Sequence, residues 1–451
     1  MLHFAIILGL ALLLLVLRQN IILILAVVAA YVHVFVADSR IEFLIQDMWF
    51  AVDREVLLAV PLFILAGNVM SQGSIARRLI DFMAAATSPI PGGMGIACVL
   101  SCAAFAAING SSIVTMLAIG SIMYPALIQR GYSKRFALGA IASAGTLGII
   151  IPPSIPLILY GIMTEKNIAH LFIAGIGPGL LLTMLFAGYS FWVNRALPRE
   201  RFSLSDVGAA FLRGIFALLM PVIMIGGIYS GYFSPTEAAA IALVYALFVD
   251  FFVHPIFDRA LEAVGQGRPA TRAVVEGMTD TFTGAPRRSR EFLGVVLETV
   301  KLLATLLPLV CIAHSLNTIL DYSGVPKEMV SLIGGLVENP WLMMLGINVL
   351  LLLVGCVMDV GSAILVLAPL LQPLAMAKGF DPIHFGIIMI ANLEIGYLTP
   401  PVGLNLIVAM AAFKESFALI CRAVLPFLVI MLLWLTIIVV YAPLSLYLVG
   451  N

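Results

Sequence analysis

The chain has 451 residues, of which 62% are hydrophobic and 11% charged, with a mean hydropathy of +1.12 and no net charge. Soluble domains run near half apolar and a quarter charged, so this composition excludes a soluble enzyme or binding module and indicates an integral membrane protein. Neutrality, and the lack of any basic cluster interleaved with aromatics, excludes a nucleic-acid partner.

The apolar runs suffice for roughly ten spans or more at about 20 residues each, and they lack strand alternation, so the spanning elements are expected to be helices. The first residues lack the basic flank and cleavage site of a signal peptide and read as a first membrane segment. Cys98, Cys102, Cys311, Cys356 and Cys421 all fall in apolar stretches and read as buried thiols, not as disulfides or metal ligands.

Residues 1–93 read as N-terminal scaffold spans and lead-in helices. Leu2 to Leu17 and Ile21 to Ala37 are apolar runs parted by Arg18, Gln19 and Asn20, and a polar loop is expected from Asp38 to Arg54. Glu55 to Met70 reads as a span ending near Gly73, followed by a helix to Thr87. Residues 94–163 form a first transport unit. Its residues 94–125 are apolar but split by Asn109-Gly110-Ser111-Ser112, the pattern of two half-length helices meeting at a polar tip. Its residues 136–163 form one long segment interrupted by Gly148 and Pro152-Pro153. Proline removes a backbone donor and clashes with the preceding turn, so the span is expected to unwind there.

Residues 164–253 read as central scaffold spans and 254–300 as a hydrophilic cytoplasmic connection with some helix. Residues 301–340 read as second-half scaffold spans, with a loop from Asp321 to Glu338. Residues 341–413 form a second transport unit (hairpin 341–373, broken helix 383–413), and residues 414–451 hold a C-terminal span.

The second unit echoes the first 248 positions later. Pro125 falls on Pro373, Gly131 on Gly379, Tyr132 on Phe380, Gly148 on Gly396, and Pro152-Pro153 on Pro400-Pro401, with 21 residues from loop glycine to proline pair in both copies. Agreement at Gly and Pro reflects backbone geometry rather than bulk composition. Paired Gly/Pro-interrupted segments in the two halves are the strongest sequence pointer to a transport site.

Charge gives an independent test. If both hairpins turn back on their own side, one side collects 19 of the 24 Lys and Arg residues, and the other keeps Arg40, Arg54, Lys166, Lys327 and Lys378. The seven from Arg259 to Lys301 lie in a long connection and count for less; without them the split is still 12 to 5. The positive-inside rule then places both termini outside the cytoplasm and makes the two units inverted. The expected fold is an all-α polytopic membrane protein with two inverted-topology repeats, each holding a re-entrant helical hairpin and a Pro/Gly-broken transmembrane helix.

An unwound helix at membrane depth exposes carbonyls and half-helix ends, and carbonyl and hydroxyl oxygens can replace the water shell of a sodium ion. The first candidate site joins Asn109, Gly110, Ser111 and Ser112 at the tip with Gly148, Ile151, Pro152 and Pro153 opposite. The second joins Gly355, Asp359, Gly361 and Ser362 with Gly396, Thr399, Pro400 and Val402. The bland alternative is that these glycines only permit tight helix packing. Asp359 and Glu394 lie deep in apolar sequence, where each would balance a cation or brace a loop. His314, with no polar company in sequence, reads as structural. Asn109, Ser154, Tyr160, Asn392, Glu394 and Asn405 are the candidate substrate contacts. No cationic side chain falls near either motif in sequence, so an anion would be held by helix N-termini and co-bound cations.

At these residues the chain resembles the large membrane subunit (DctM-like) of tripartite ATP-independent periplasmic (TRAP) transporters. The matching stretches are VPLFILAGNVMSQG, FAAINGSSIVTMLAIGSIMYPALIQRGYSKRFALGAI, LGIIIPPSIPLILYG, GYFSPTEAAA and GFDPIHFGIIMIANLEIGYLTPPVGLNL. The resemblance implies sodium-driven symport of an organic anion (a C4-dicarboxylate, sialic acid or another sugar acid) by an elevator motion in the bacterial inner membrane. It implies a small four-span partner subunit, a periplasmic substrate-binding protein, surrounding phospholipid, and sodium as the only cofactor, two ions or more. It maps one sodium site onto Asn109, Gly148, Ile151 and Pro153 and the other onto Gly355, Gly396, Thr399 and Val402, largely through main-chain carbonyls. Asn109 stands where the family often has serine, and the 254–298 stretch is longer than the family pattern. With no four-span block ahead of the chain, the small subunit is expected to be a separate polypeptide. The competing readings are a stand-alone inverted-repeat symporter, a channel and an intramembrane enzyme. The last lacks any HExxH, GxGD or G-x-S-x-G motif.

Overall fold

The computed structural model describes residues 2–72, 75–199, 202–265 and 270–450, and among these the regular structure is entirely helical. Gly73, Arg201 and Arg268, used above, lie outside the described residues. The first helices are α1 (Leu2–Val16), α2 (Ile21–Tyr31), which continues as a π-turn over Val32–Val36, and α3 (Ile41–Val52). A 3-10 turn over Glu55–Leu58 leads into α4 (Ala59–Gln72), which is bent by 65° against α5 (Ile75–Thr87). Then come α6 (Gly93–Asn109), α7 (Ser112–Gln129), α8 (Lys134–Gly145), α9 (Leu147–Ile150), α10 (Ile155–Thr164) and α11 (Ile168–Asn194). The middle holds α12 (Leu204–Tyr229), α13 (Pro235–Phe248), α14 (His254–Gly265) and α15 (Ala270–Tyr322). The remainder comprises α16 (Val325–Leu336), α17 (Pro340–Gly355), α18 (Val360–Ala377), α19 (Pro382–Tyr397), α20 (Leu404–Phe413), α21 (Phe417–Val440) and α22 (Pro443–Leu446).

Among the described residues, eight helices are long and apolar enough to cross a membrane, or nine if the bent α4–α5 pair is one span, against the ten or more expected from composition. The shortfall arises because apolar sequence is shared among short helices such as α6, α17 and α20. At 1.5 Å per residue, the 17 residues of α6 reach only about 26 Å, short of a hydrocarbon core of about 30 Å.

Two expected loops are helical instead, and the connection expected to hold some helix is helical wherever it is described. Within the Asp38–Arg54 stretch, α3 forms because Leu44, Met48 and Ala51 recur at helical spacing and pack inward, while Glu42 faces away and Asp47 accepts from the Ser315 hydroxyl at 3.2 Å. Within Asp321–Glu338, α16 forms after Gly324 ends the preceding helix at φ +73°, with Pro326 and Glu328 in a first turn that favours both. The 254–298 stretch is α14 packed against the first part of α15, a single 53-residue helix. Its Arg and Glu residues are good helix formers, so the helix continues past the apolar segment instead of stopping at Leu302.

The innermost elements are the interrupted ones. Every residue from His384 to Tyr397 in α19 is buried, as is almost every residue from Phe136 through Thr164. The outer helices show large apolar side chains to the surroundings, among them Val222, Val244, Leu425, Val429 and Leu433. Apolar residues inside and outside together are the mark of a lipid-facing surface. Polar seams lock the helices laterally: Trp434 Nε1 donates to Pro178 O at 2.8 Å, and Asn68 Nδ2 to Thr299 Oγ1 at 3.1 Å.

Beyond the end of α20, Glu415 Oε1 accepts from Lys134 Nζ at 2.9 Å and from Tyr124 OH at 2.8 Å. These donors hold the Glu415 carboxyl below the usual carboxylate range. A pKa lowered by folding adds stability above the unfolded value, near 4.5, and that stability is lost as pH falls through the lowered folded value. Glu415→Gln is therefore expected to melt slightly below the parent at pH 7. The difference should shrink as pH falls below about 4.5 in thermal denaturation of the purified protein.

Candidate functional site

The first tip is built by one asparagine. Asn109 ends α6, 2% exposed; its Nδ2 donates to Phe105 O and Thr115 Oγ1, each at 2.9 Å, and its Oδ1 accepts from Ser111 N at 2.7 Å. Thr115 Oγ1 in turn donates to Ser111 O at 2.8 Å. Gly110 makes the turn at φ +65°, a backbone conformation only glycine takes without strain. Across from it, α9 gives way to extended backbone at Ile151, a cis Pro152–Pro153 bond, and Ser154, whose hydroxyl caps α10 by accepting from Leu157 N at 3.3 Å.

Tip and break touch directly. Ile155 N donates to Gly110 O at 3.4 Å. A Cβ on Gly148 would lie 2.5 Å from Ser111 O and 2.8 Å from Thr115 Oγ1, and one on Gly110 would lie 2.7 Å from Pro153 O. Gly148 thus lies directly against the Ser111 carbonyl and the Thr115 hydroxyl, and Gly110 against the Pro153 carbonyl, with no room for a side chain at either glycine.

The second tip uses an acid. Asp359 caps α18, accepting from Ser362 N at 2.9 Å and from the Ser362 hydroxyl, while Val360 N donates to Tyr397 OH at 2.8 Å. After α19, residues 398–403 are non-helical, with a cis Pro400–Pro401 bond, and Gly403 N donates to Cys356 O at 3.2 Å. The donors Ile155 and Gly403 are again 248 apart. A Cβ on Gly396 would lie 2.4 Å from Gly355 C and 2.8 Å from Gly355 O. Thr399 Oγ1 donates to Ile395 O at 2.8 Å.

The clusters interlock. Asn405 Nδ2 on α20 donates to Ser112 Oγ at the first tip at 2.6 Å, and Leu159 on α10 lies 3.4 Å from where a Gly361 Cβ would sit. Glu394 is wholly buried, faces the Thr146 hydroxyl, and has no hydrogen-bond partner for either carboxyl oxygen among the described residues, because Thr146 donates to Ser143 O. Asn392 Nδ2 ties α19 to α17 through Asn348 Oδ1 at 2.7 Å. Tyr160 stands apart, donating to Pro382 O at 2.6 Å with its ring on Gly386.

His314 differs from the sequence expectation: it has polar company, with Arg54 Nη2 3.4 Å from its Nε2. The two residues are 260 apart in sequence, beyond the reach of local pattern. Thr115, Tyr397, Gly403 and Arg54 were likewise not singled out from sequence; only Thr115, one turn beyond the Asn-Gly-Ser-Ser tip, carried a local signal. The groups at the two tip–break contacts are carbonyl, hydroxyl and carboxylate oxygens, which are hard donors, and Cys356 enters the second contact through its carbonyl. That donor set suits an alkali or alkaline-earth cation better than a transition metal.

Gly396→Ala and Gly148→Ala are expected to lower the melting midpoint, since overpacking against backbone costs about 1–3 kcal/mol. Gly188→Ala, whose Cβ meets nothing within 4 Å, should melt like the parent. A Gly396→Ala protein with parental stability would disprove the close approach of α19 and α17.

Residues 6–444 match the family model described as "Tripartite ATP-independent periplasmic transporter, DctM component". Among curated relatives, the chain is 41% identical over 396 residues to the C4-dicarboxylate TRAP transporter large permease protein DctM of Pseudomonas aeruginosa, covering 87% of this chain and 85% of that one. It is 33% identical over 408 residues to the 2,3-diketo-L-gulonate TRAP transporter large permease of Escherichia coli, covering 89% and 88%. It is 31% identical over 426 residues to the ectoine TRAP transporter large permease of Halomonas elongata, covering 94% and 93%. A solved structure with a similar fold is the Alcanivorax borkumensis YdaH transporter, at TM-score 0.56 and 16% identity over 90% of this chain and 88% of that one. A multi-pass helical chain with two tip–break clusters, matched along nearly its whole length, belongs to the family of large permease (DctM) components of TRAP transporters.

Proposed function

We propose that this chain is the membrane subunit that moves a small organic acid across the bacterial inner membrane by sodium symport. The observation that carries the reading is the pair of tip–break contacts, in which Ile155 N and Gly403 N, 248 positions apart, each donate to a tip carbonyl. Each contact gathers oxygens with little or no formal charge, and such a set gains most from a desolvated monovalent cation. Asn109, Gly110, Ser111, Ser112, Gly148, Ile151, Pro152 and Pro153 form one sodium site, to which Thr115 adds a hydroxyl. Gly355, Asp359, Gly396, Thr399, Pro400 and Val402 form the other. In this reading Asn109, Ser154, Tyr160, Asn392, Glu394 and Asn405 are the residues that contact the solute.

In this reading the two units have inverted topology, and α6–α10 and α17–α20 slide as a body against the remaining helices, which act as scaffold. The interlocking of α20 with the first tip and of α10 with the second supports motion as one body. A small four-span subunit braces the scaffold, and a periplasmic binding protein delivers solute; both termini are periplasmic. Relatives named for C4-dicarboxylate, 2,3-diketo-L-gulonate and ectoine transport set the range of solutes.

The test is uptake into proteoliposomes holding the chain, its small subunit and its binding protein. Removing the sodium gradient should abolish accumulation. Thr399→Ala should raise the half-saturating sodium concentration about tenfold, roughly 1.4 kcal/mol, with Thr399→Ser restoring it and Cys421→Ala leaving it unchanged. Uptake that persists on a proton gradient alone would refute the sodium assignment.

A further inference from the structure

A cleft of about 430 Å³ opens where the far end of α10 meets α15 and α18, lined by Thr164, Glu165, His314, Asn317, Asp321 and Gln372 among others. It lies away from both tip–break clusters, and its volume is in the range of small-molecule sites. Arg54, from the segment before α4, reaches its edge. Its guanidinium stands 3.4 Å from each of three groups: Ile162 O, Glu165 Oε1 and His314 Nε2. These are long contacts for a group with five donors, against the usual 2.7–3.2 Å, so none of them commits the guanidinium. The Glu165 side chain is 76% exposed, which makes its pairing with Arg54 weak and easily exchanged.

Two amides complete the donor side. Gln372 is 7% exposed; its Nε2 lies near the Tyr160 hydroxyl but makes no hydrogen bond of good geometry among the described residues, so a ligand oxygen would complete it. Asn317 Nδ2 donates to Met163 O at 3.3 Å and keeps a second N–H. The opposite character comes from Glu165 and Asp321, whose carboxyls act electrostatically on each other. One guanidinium and two amides beside two acids do not suit a dianion. A second carboxylate would face Glu165 and Asp321 and be repelled.

We propose that this cleft is a solute-receiving site selecting a monocarboxylate that carries hydrogen-bond donors. The carboxylate pairs with Arg54 and the Gln372 amide, and the hydroxyl or cationic N–H groups lie on Glu165 and Asp321. Bidentate pairing with a carboxylate is the geometry arginine satisfies best. The side on which the cleft opens is the one that keeps Arg54, Lys166 and Lys327 in the charge distribution, which the transport reading assigns to the periplasm. The proposal rests on that reading and narrows its solute class to hydroxylated or zwitterionic acids rather than C4-dicarboxylates.

The test is the melting midpoint of the purified large–small subunit complex in sodium-free buffer, titrated with gluconate, ectoine and succinate. Gluconate or ectoine should stabilise the parent, with half-effect at least about tenfold below that of succinate; which of the two does so separates a hydroxylated from a zwitterionic solute. Arg54→Ala should abolish the shift and Arg54→Lys weaken it. Asp321→Asn should narrow the discrimination against succinate, an effect that a purely structural contact at Arg54 would not produce. Succinate binding as well as gluconate and ectoine, no shift with any of the three, or full binding by Arg54→Ala would each overturn the proposal. Uptake distinguishes the two readings. Sodium-driven uptake that Arg54→Ala leaves intact sinks only the cleft, whereas sodium-independent uptake by the parent sinks the symport reading while the melting shifts still report on the cleft.

Discussion

Backbone polar groups cannot be left open to lipid, and that constraint explains how this molecule is arranged around its interruptions. Two helical segments unwind at proline pairs, which frees N–H and C=O groups at positions where neither water nor a helical neighbour is at hand. Each break is met by the tip of a helical pair, and in each the second N–H after the proline pair, Ile155 or Gly403, donates to a tip carbonyl. Without a covering tip, the first break would leave unsatisfied groups in a deeply buried part of the protein, while the second, at Pro400 and Pro401, is exposed on one side.

The cover has to come very close, which is where the glycines matter. Gly148 and Gly396 bring α9 and α19 within a Cβ's reach of the Ser111 and Gly355 backbones. Close approach and unwinding together leave main-chain oxygens gathered with hydroxyls of Thr115 and, in the other half, the acid of Asp359. The same close approach that closes the fold therefore also brings these oxygens together. The halves differ in how they hold their tips: an asparagine–threonine pair in one, an aspartate–serine cap and a tyrosine hydroxyl in the other.

Much of this was legible in sequence because Gly and Pro report backbone geometry directly. The tip at Asn109–Ser112 and the breaks at Pro152-Pro153 and Pro400-Pro401 fall where the punctuation put them. What failed was the reading of polarity as loop. The α3 and α16 helices are amphipathic and short, so hydrophilic character alone misplaced both, whereas the charged 254–298 stretch was expected to hold some helix and its described residues are helical. His314 looked isolated because its partner Arg54 comes from a distant segment, and a one-dimensional reading has no access to pairs 260 residues apart.

Sequence by itself determined the environment and the punctuation. Composition required a membrane, apolar runs required helices, and proline pairs required breaks, since each follows from local chemistry. Only the tertiary structure decided which groups face one another. It set Glu394 against Thr146, Asn405 against Ser112, and Arg54 at the edge of a cleft whose acids and amides come from α15, α18 and the turn after α10. Those encounters depend on how helices cross, and crossing is set by the summed fit of many side chains rather than by any stretch that can be read alone.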